Sequence, residues 1–168
     1  MDLRQAVVRD LPQIIDMYKE IIKKMNEDGI QIWDDIYPCG YFEDDIKNNR
    51  LYVMTEGTEI AAAFALCESN SGEGFIEWEN RSCKALYIDR VGVNVKYRGK
   101  GIGSILLTKA GETAKALSAE YLRLFVVDIN VPAIGLYRKN GFARANGVYA
   151  EVIDEDLVLH EYGYEIRL

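Results

Sequence analysis

The sequence predicts an α/β domain with a mixed sheet and helices on both faces. Two observations carry this. A strand–helix–strand unit over residues 85–127, with a dense apolar strand at each end, needs a parallel crossover. Around it the chain is rich in short strands and tight turns, which implies antiparallel neighbours. At 168 residues the chain suits one domain spanning 1–168. A chain of that size buries about 70% of its unfolded surface, so no metal or disulfide staple is needed.

Each element follows from local chemistry. Leu3–Val8 reads as a short strand, and Asp10 as the cap of a helix with Pro12 in its first turn. Ile14, Ile15, Met17, Tyr18, Ile21, Ile22 and Met25 recur at helical spacing, and Gly29 ends the run. Pro38 and Gly40 break residues 30–41, and a short helix over Tyr41–Asn49 follows. Leu51–Thr55 and Ile60–Cys67 form a hairpin about Glu56-Gly57-Thr58-Glu59. Phe75–Trp78 is a weak strand or turn. Ala85–Val95 is a strong strand whose alternation Asp89, Arg90 and Gly92 disturb, the mark of a bulge. A helix runs from the glycine-rich 99–103 to Leu117, with Ile102, Ile105, Leu106, Ala110, Thr113, Ala114 and Leu117 on its apolar face. Tyr121–Val127 is a buried strand and Pro132–Asn140 a helix closed by Gly141. Phe142–Ala145 and Tyr162–Leu168 are closing strands.

Composition excludes several functions. With 20 basic and 27 acidic residues the net charge is −7, which argues against a nucleic-acid partner. Cys39, Cys67 and Cys83 with the single His160 match no zinc spacing, so no metal site is expected. The N-terminus lacks an apolar leader and the longest apolar run is too short for a bilayer, so a cytoplasmic protein without a membrane partner is expected.

The sharpest local signal is Tyr97-Arg98-Gly99-Lys100-Gly101-Ile102-Gly103-Ser104, between a strand and a helix. Glycines let backbone amides approach a ligand, and a helix N-terminus adds partial positive charge, so the turn suits phosphate. It matches neither the P-loop spacing nor the dinucleotide fingerprint. What remains is R-x-x-G-x-G on Arg98, Gly101 and Gly103. From Arg81 to Lys109 there are seven cations and one acid, Asp89, a basic patch in an acidic chain that suits a compact polyanion.

The run Val91-Gly92-Val93-Asn94-Val95-Lys96-Tyr97-Arg98-Gly99-Lys100-Gly101-Ile102-Gly103-Ser104-Ile105-Leu106-Leu107 resembles the acetyl-CoA-binding motif of the GNAT N-acetyltransferase superfamily. Asn130-Val131-Pro132-Ala133-Ile134-Gly135-Leu136-Tyr137-Arg138-Lys139-Asn140-Gly141-Phe142 is similar to that family's N-x-x-A-x-x-L-Y-x-x-x-G-F segment. The resemblance implies a GNAT-like three-layer fold with a mixed, mostly antiparallel sheet whose central strands, here Ala85–Val95 and Tyr121–Val127, splay around acetyl-CoA. It implies that 98–104, namely Arg98, Gly99, Lys100, Gly101, Ile102, Gly103 and Ser104, cradle the pyrophosphate. It places the pantetheine arm against the backbone of Val91, Gly92 and Val93 and against Asn130. The implied reaction is direct attack of an amine on the thioester carbonyl, with the amide of Val93 as oxyanion donor and Tyr137 as general acid. For the base, Glu77, Glu79 and Asp89 stay open, with Asp89 sharing a face with Val91 if no bulge intervenes. Glu27–Asp45 holds seven carboxylates and Glu151–Glu165 six, neither with a Lys or Arg, an acidic rim for a cationic amine. Trp33 and Tyr37 could wall the acceptor. Polyamine, amino sugar, small amine and peptide N-terminus all remain as acceptors. The resemblance leaves room for a homodimer and for a rival, a non-catalytic acyl-CoA-binding module.

Overall fold

The computed structural model describes residues 1–168. They form an α/β architecture on a mixed, mostly antiparallel sheet and gather into two compact units, 1–66 with 90–110 and 67–89 with 111–168. No helix is long and apolar enough to cross a membrane.

In the first unit, β1 (Asp2–Gln5) runs antiparallel to β2 (Leu51–Glu56), which pairs with β3 (Glu59–Cys67) across a tight hairpin. Ile60–Leu66 is buried without alternation, the pattern of a strand covered on both faces. Helix α1 (Leu11–Glu27) buries Ile14, Met17, Tyr18 and Ile21, spaced three to four apart, while its other face stays polar. Asp10 does not cap α1 through its side chain. Its carboxylate instead takes the Val7 amide at 2.8 Å and pairs with Arg4, closing a single 3-10 turn, Val8–Asp10, ahead of the helix. Helix α2 (Phe42–Lys47) buries Phe42, Asp45 and Ile46.

Strand β4 (Ala85–Val93) ends two residues earlier than its apolar run suggests. Asn94 is the reason. Its backbone amide donates to Ala61 (2.9 Å) and its side-chain amide to Ile60 (3.0 Å), while its Oδ1 caps a 3-10 turn over Val95–Tyr97 by accepting the Lys96 amide. Helix α3 (Ile102–Ala116) then begins. Its buried stripe is Ile102, Leu106, Leu107, Ala110 and Ala114. Ile105 and Leu117 are exposed, contrary to expectation, because the stripe advances in steps of four from 102 and leaves 105 and 117 off it.

In the second unit, β5 (Tyr121–Val127) has the predicted limits. It pairs in parallel with β4 only from Ala85↔Tyr121 to Tyr87↔Arg123, then continues to Val127 along antiparallel β8 (Val158–Arg167). The parallel pairing of the two central strands therefore stops at Tyr87. Helix α4 (Val131–Lys139) is capped by Asn130, and Gly141 takes the left-handed conformation, φ +86°, that ends it. Strands β6 (Ala143–Arg144) and β7 (Tyr149–Val152) both lie on β8. The sequence reading missed β7. Phe75–Trp78 is not a strand: a 3-10 turn covers Glu73–Phe75 and only Glu77 bridges to Asn146. Ile76, Trp78, Tyr87 and Ala145 form the core here, with Phe125 packed against it. Buried Arg123 lies over the Trp78 ring, pairs with buried Glu165 at 3.1 Å and donates to the Asn80 carbonyl at 2.6 Å.

Candidate active site

In the first unit the site is built on backbone. Gly99 and Gly101 sit at φ +76° and +77°, a region that costs a side-chain-bearing residue about 1–2 kcal/mol. No atom lies within 4 Å of where a Cβ would stand on either, so the turn opens onto space that a ligand can fill. In the first turn of α3 the amides of Ser104 and Ile105 already donate to the Gly101 carbonyl, at 3.1 and 3.2 Å, so the anion cradle that the helix dipole favours is formed by the amides ahead of them. The neighbouring cations are already engaged. Lys96 pairs with Glu59, Arg98 with Asp28 at 2.9 Å, and Lys100 lies over the Tyr97 ring, whose hydroxyl donates to Glu59. That bond, with burial, pushes the Tyr97 phenol up to about 12, and Lys96 and Tyr97 together hold the Glu59 carboxyl below its ordinary range. The basic patch is thus partly neutralised by acids from distant segments.

Upstream, β4 contains a feature rare for a non-glycine residue. Arg90 is left-handed, φ +53°. A left-handed residue inside a strand breaks the regular pleat, so the simple alternation that would set Asp89 on one face with Val91 and Val93 does not hold. The left-handed step is held on several sides. Tyr18, fully buried, donates its hydroxyl toward the carbonyl of Arg90, with the carbonyl of Ala63 at 3.2 Å. The Arg90 guanidinium, 8% exposed, grips Asp45 with Nε to Oδ2 at 2.7 Å and Nη2 to Oδ1 at 3.0 Å. Arg50 backs the same carboxylate at 3.0 Å. Gly92 passes so close to Tyr18 that an added Cβ would stand 2.5 Å from the ring. Trp33 and Tyr37, expected at the acceptor, continue this aromatic layer: Tyr18–Trp33 centroids are 5.8 Å apart, Trp33–Tyr37 6.3 Å and Tyr37–Tyr41 5.3 Å, with Arg90 over Tyr41.

In the second unit three titratable groups influence one another. Tyr137, buried on α4, has its phenol pushed well up by burial and then by the charge of Asp89. Glu161 on β8, opposite Val127 of β5 and Tyr149 of β7, is pushed up to about 8 by burial, by a hydrogen bond and charge from Glu151, and by Asp89. Sequence reasoning counted Glu161 as one acid of a rim. The pairing of β7 with β8, which sets it beside Glu151, was the missing signal. Asn130 caps α4 by accepting the Ala133 amide at 3.3 Å. Glu77 lies elsewhere in this unit. It is exposed, its carboxylate takes the Asn146 side-chain amide, and it lines a groove with Glu79, Tyr121, Arg144 and Glu165. Glu79 accepts the Tyr121 hydroxyl at 2.9 Å.

Comparison with known proteins agrees with this geometry. The model of the acetyltransferase (GNAT) family matches residues 15–142. Streptothricin acetyltransferase of Streptomyces lavendulae is 41% identical over 101 residues, 60% of this chain and 48% of the relative, so the chain's match spans about half of that protein. Thialysine N-epsilon-acetyltransferase of Bos taurus is 38% identical over 64 residues, 38% of this chain and 36% of the relative. Among solved structures, a GNAT-family acetyltransferase from Streptococcus agalactiae aligns with a TM-score of 0.78 at 20% identity, covering 99% of this chain and 95% of the other. With more than half its length under the family model, the chain belongs to the acetyltransferase (GNAT) family.

Proposed function

We propose that this protein transfers the acetyl group of acetyl-CoA to a cationic primary amine. One observation carries the reading: two left-handed glycines open an uncluttered anion cradle at the start of α3, as a bound diphosphate requires. Gly99, Gly101, Ile102 and Gly103 hold that diphosphate through backbone amides, with Arg98, Lys100 and Ser104 around it, whose own amides are engaged by the carbonyls of Val95, Tyr97 and Gly101. The backbone of Val91, Gly92 and Val93 and the side chain of Asn130 hold the pantetheine arm.

Acetyl-CoA supplies the activated acyl group; this chain positions it and moves protons. The amide of Val93 stabilises the oxyanion as the amine nitrogen bonds the carbonyl carbon. Asp89 accepts the amine's proton. Its charge already acts on Tyr137 and Glu161, which favours it over Glu77, hydrogen-bonded to Asn146 in its separate groove. When the carbon–sulfur bond breaks, Tyr137 gives its phenol proton to the sulfur. Burial and Asp89 keep that proton on the ring at neutral pH, so donation is concerted with cleavage rather than preceding it.

The acceptor class follows from charge and from relatives. The acidic segments 27–45 and 151–165 raise the local concentration of a cation, and Trp33 and Tyr37 wall it. One relative is named for streptothricin and another for the ε-nitrogen of thialysine, which favours an amine on a small molecule. The protein acts inside the cell, as a monomer or a homodimer. The test is thiol release from acetyl-CoA against a panel of amines, with Tyr137→Phe beside the wild type. The expected result is amine-dependent release, cut at least tenfold in the variant. Tight CoA binding with no release against any amine would favour the non-catalytic module.

A further inference from the structure

We propose that Arg90 is a positioning residue for acetyl transfer: its guanidinium clamp on Asp45 and the Tyr18 hydroxyl on its carbonyl force β4 into the left-handed step that aims the amides of Val91–Val93. The proposal rests on the reading of those amides as the thioester's contacts.

The geometry is costly, which is why it is informative. A left-handed conformation is unfavourable for a residue with a Cβ, and such strain persists only where the surroundings over-determine it. Here they do. The carboxylate of Asp45 is fully buried; its Oδ1 accepts from Arg90 Nη2 at 3.0 Å, and its Oδ2 lies 2.7 Å from Arg90 Nε as an ion pair without hydrogen-bond alignment, a placement of charge that the unbranched lysine does not reproduce. Arg50 donates to the same carboxylate at 3.0 Å, so Asp45 stays compensated and fixed. Tyr41 covers the guanidinium with its ring centroid 5.6 Å away. From the other side the Tyr18 hydroxyl meets the Arg90 carbonyl, and its ring fills the space that Gly92 leaves empty. The backbone between these two grips is residues 90–92, the segment leading into the proposed oxyanion donor. Removing either grip releases the strain, lets residue 90 return to extended backbone and turns the following amides away.

The experiment uses the full chain and four variants, Tyr18→Phe, Arg90→Ala, Arg90→Gly and Arg90→Lys, read by steady-state kinetics, by CoA affinity and by the crystal structure of each. Tyr18→Phe keeps the buried ring and removes one oxygen, so it folds even if Arg90→Ala does not. The expected result is a kcat at least tenfold lower in Tyr18→Phe and Arg90→Ala, with CoA affinity within threefold because the turn at 98–104 is untouched. Arg90→Gly, which tolerates positive φ, recovers part of the loss relative to Arg90→Ala, and Arg90→Lys does not reach the wild-type rate. In the structures of Tyr18→Phe and Arg90→Ala, φ at residue 90 turns negative. A residue 90 that stays left-handed in both variants, or a kcat unchanged in both, overturns the positioning role while leaving the acetyltransferase reading intact. A wild-type protein that neither binds CoA nor releases thiol overturns that reading and this proposal with it.

Discussion

Gly92→Ala is the most exacting test of the packing at β4. The added Cβ would stand 2.5 Å from Tyr18 Cζ, 2.6 Å from its Oη and 2.9 Å from Cε1. Carbon atoms rest at about 3.5–4.0 Å, so the ring must retreat by about 1 Å. It has nowhere to go: Tyr18 is fully buried against Phe42 at 4.6 Å between centroids. Overpacking costs about 1–3 kcal/mol, and pulling the hydroxyl off the Arg90 carbonyl adds about 1–2 kcal/mol. The total is about 2–5 kcal/mol, a melting point lower by about 4–20 °C for a chain of this size. Gly101→Ala is the control. It suffers left-handed strain alone, about 1–2 kcal/mol, because no atom stands near its Cβ position. Circular dichroism melts and urea titrations of both read the difference. Adding Tyr18→Leu to Gly92→Ala removes the clash, so the double variant falls short of the sum of the singles. A Gly92→Ala protein melting within about 2 °C of wild type would refute the close approach.

Three further outcomes follow. Glu161 has a carboxyl raised from 4.5 to about 8, so the folded state keeps a proton the unfolded chain loses. Its contribution is complete below about pH 4.5 and is lost as pH rises through 8, by up to about 1.4 kcal/mol per pH unit. Glu161→Gln therefore gains stability relative to wild type between pH 5 and 8 in urea titrations, and parallel curves would contradict the shift. Arg123→Met strands buried Glu165 and costs about 3–5 kcal/mol, whereas Arg123→Met with Glu165→Leu costs less; equal losses in chemical denaturation would show the pair to be uncoupled. Gly101→Val weakens CoA binding by calorimetry at least tenfold, and an unchanged affinity would move the phosphate site elsewhere.

What could be read from the sequence was what neighbours in the chain decide. Tyr121–Val127 is apolar enough to be a strand in any setting, Gly141 answers the end of α4, and the Glu56–Glu59 turn sets its hairpin. What distant segments decide was hidden. Strand β7 exists because β8 gives it a partner, and its exposed Val152 carries no alternation signal. Lys96 and Arg98 looked like free cations until Glu59 and Asp28 were folded beside them. The disturbed pattern at Asp89, Arg90 and Gly92 marked an irregular strand, but that Arg90 is the left-handed residue depends on Asp45 and Tyr18. Glu161 is unremarkable in sequence, because the groups that shift it, Glu151 and Asp89, lie on other strands.

The left-handed step at Arg90 also sets how β4 tolerates changes in length. A strand with one irregular residue changes phase there, so side chains before and after it obey different parities. Deleting one residue between 88 and 91 would remove the left-handed step and with it the aim of the amides that follow, whereas many single replacements would leave the step in place. Insertions and deletions in this short stretch are therefore far less tolerated than point changes, and homologues with altered acceptor loops are expected to keep its residue count.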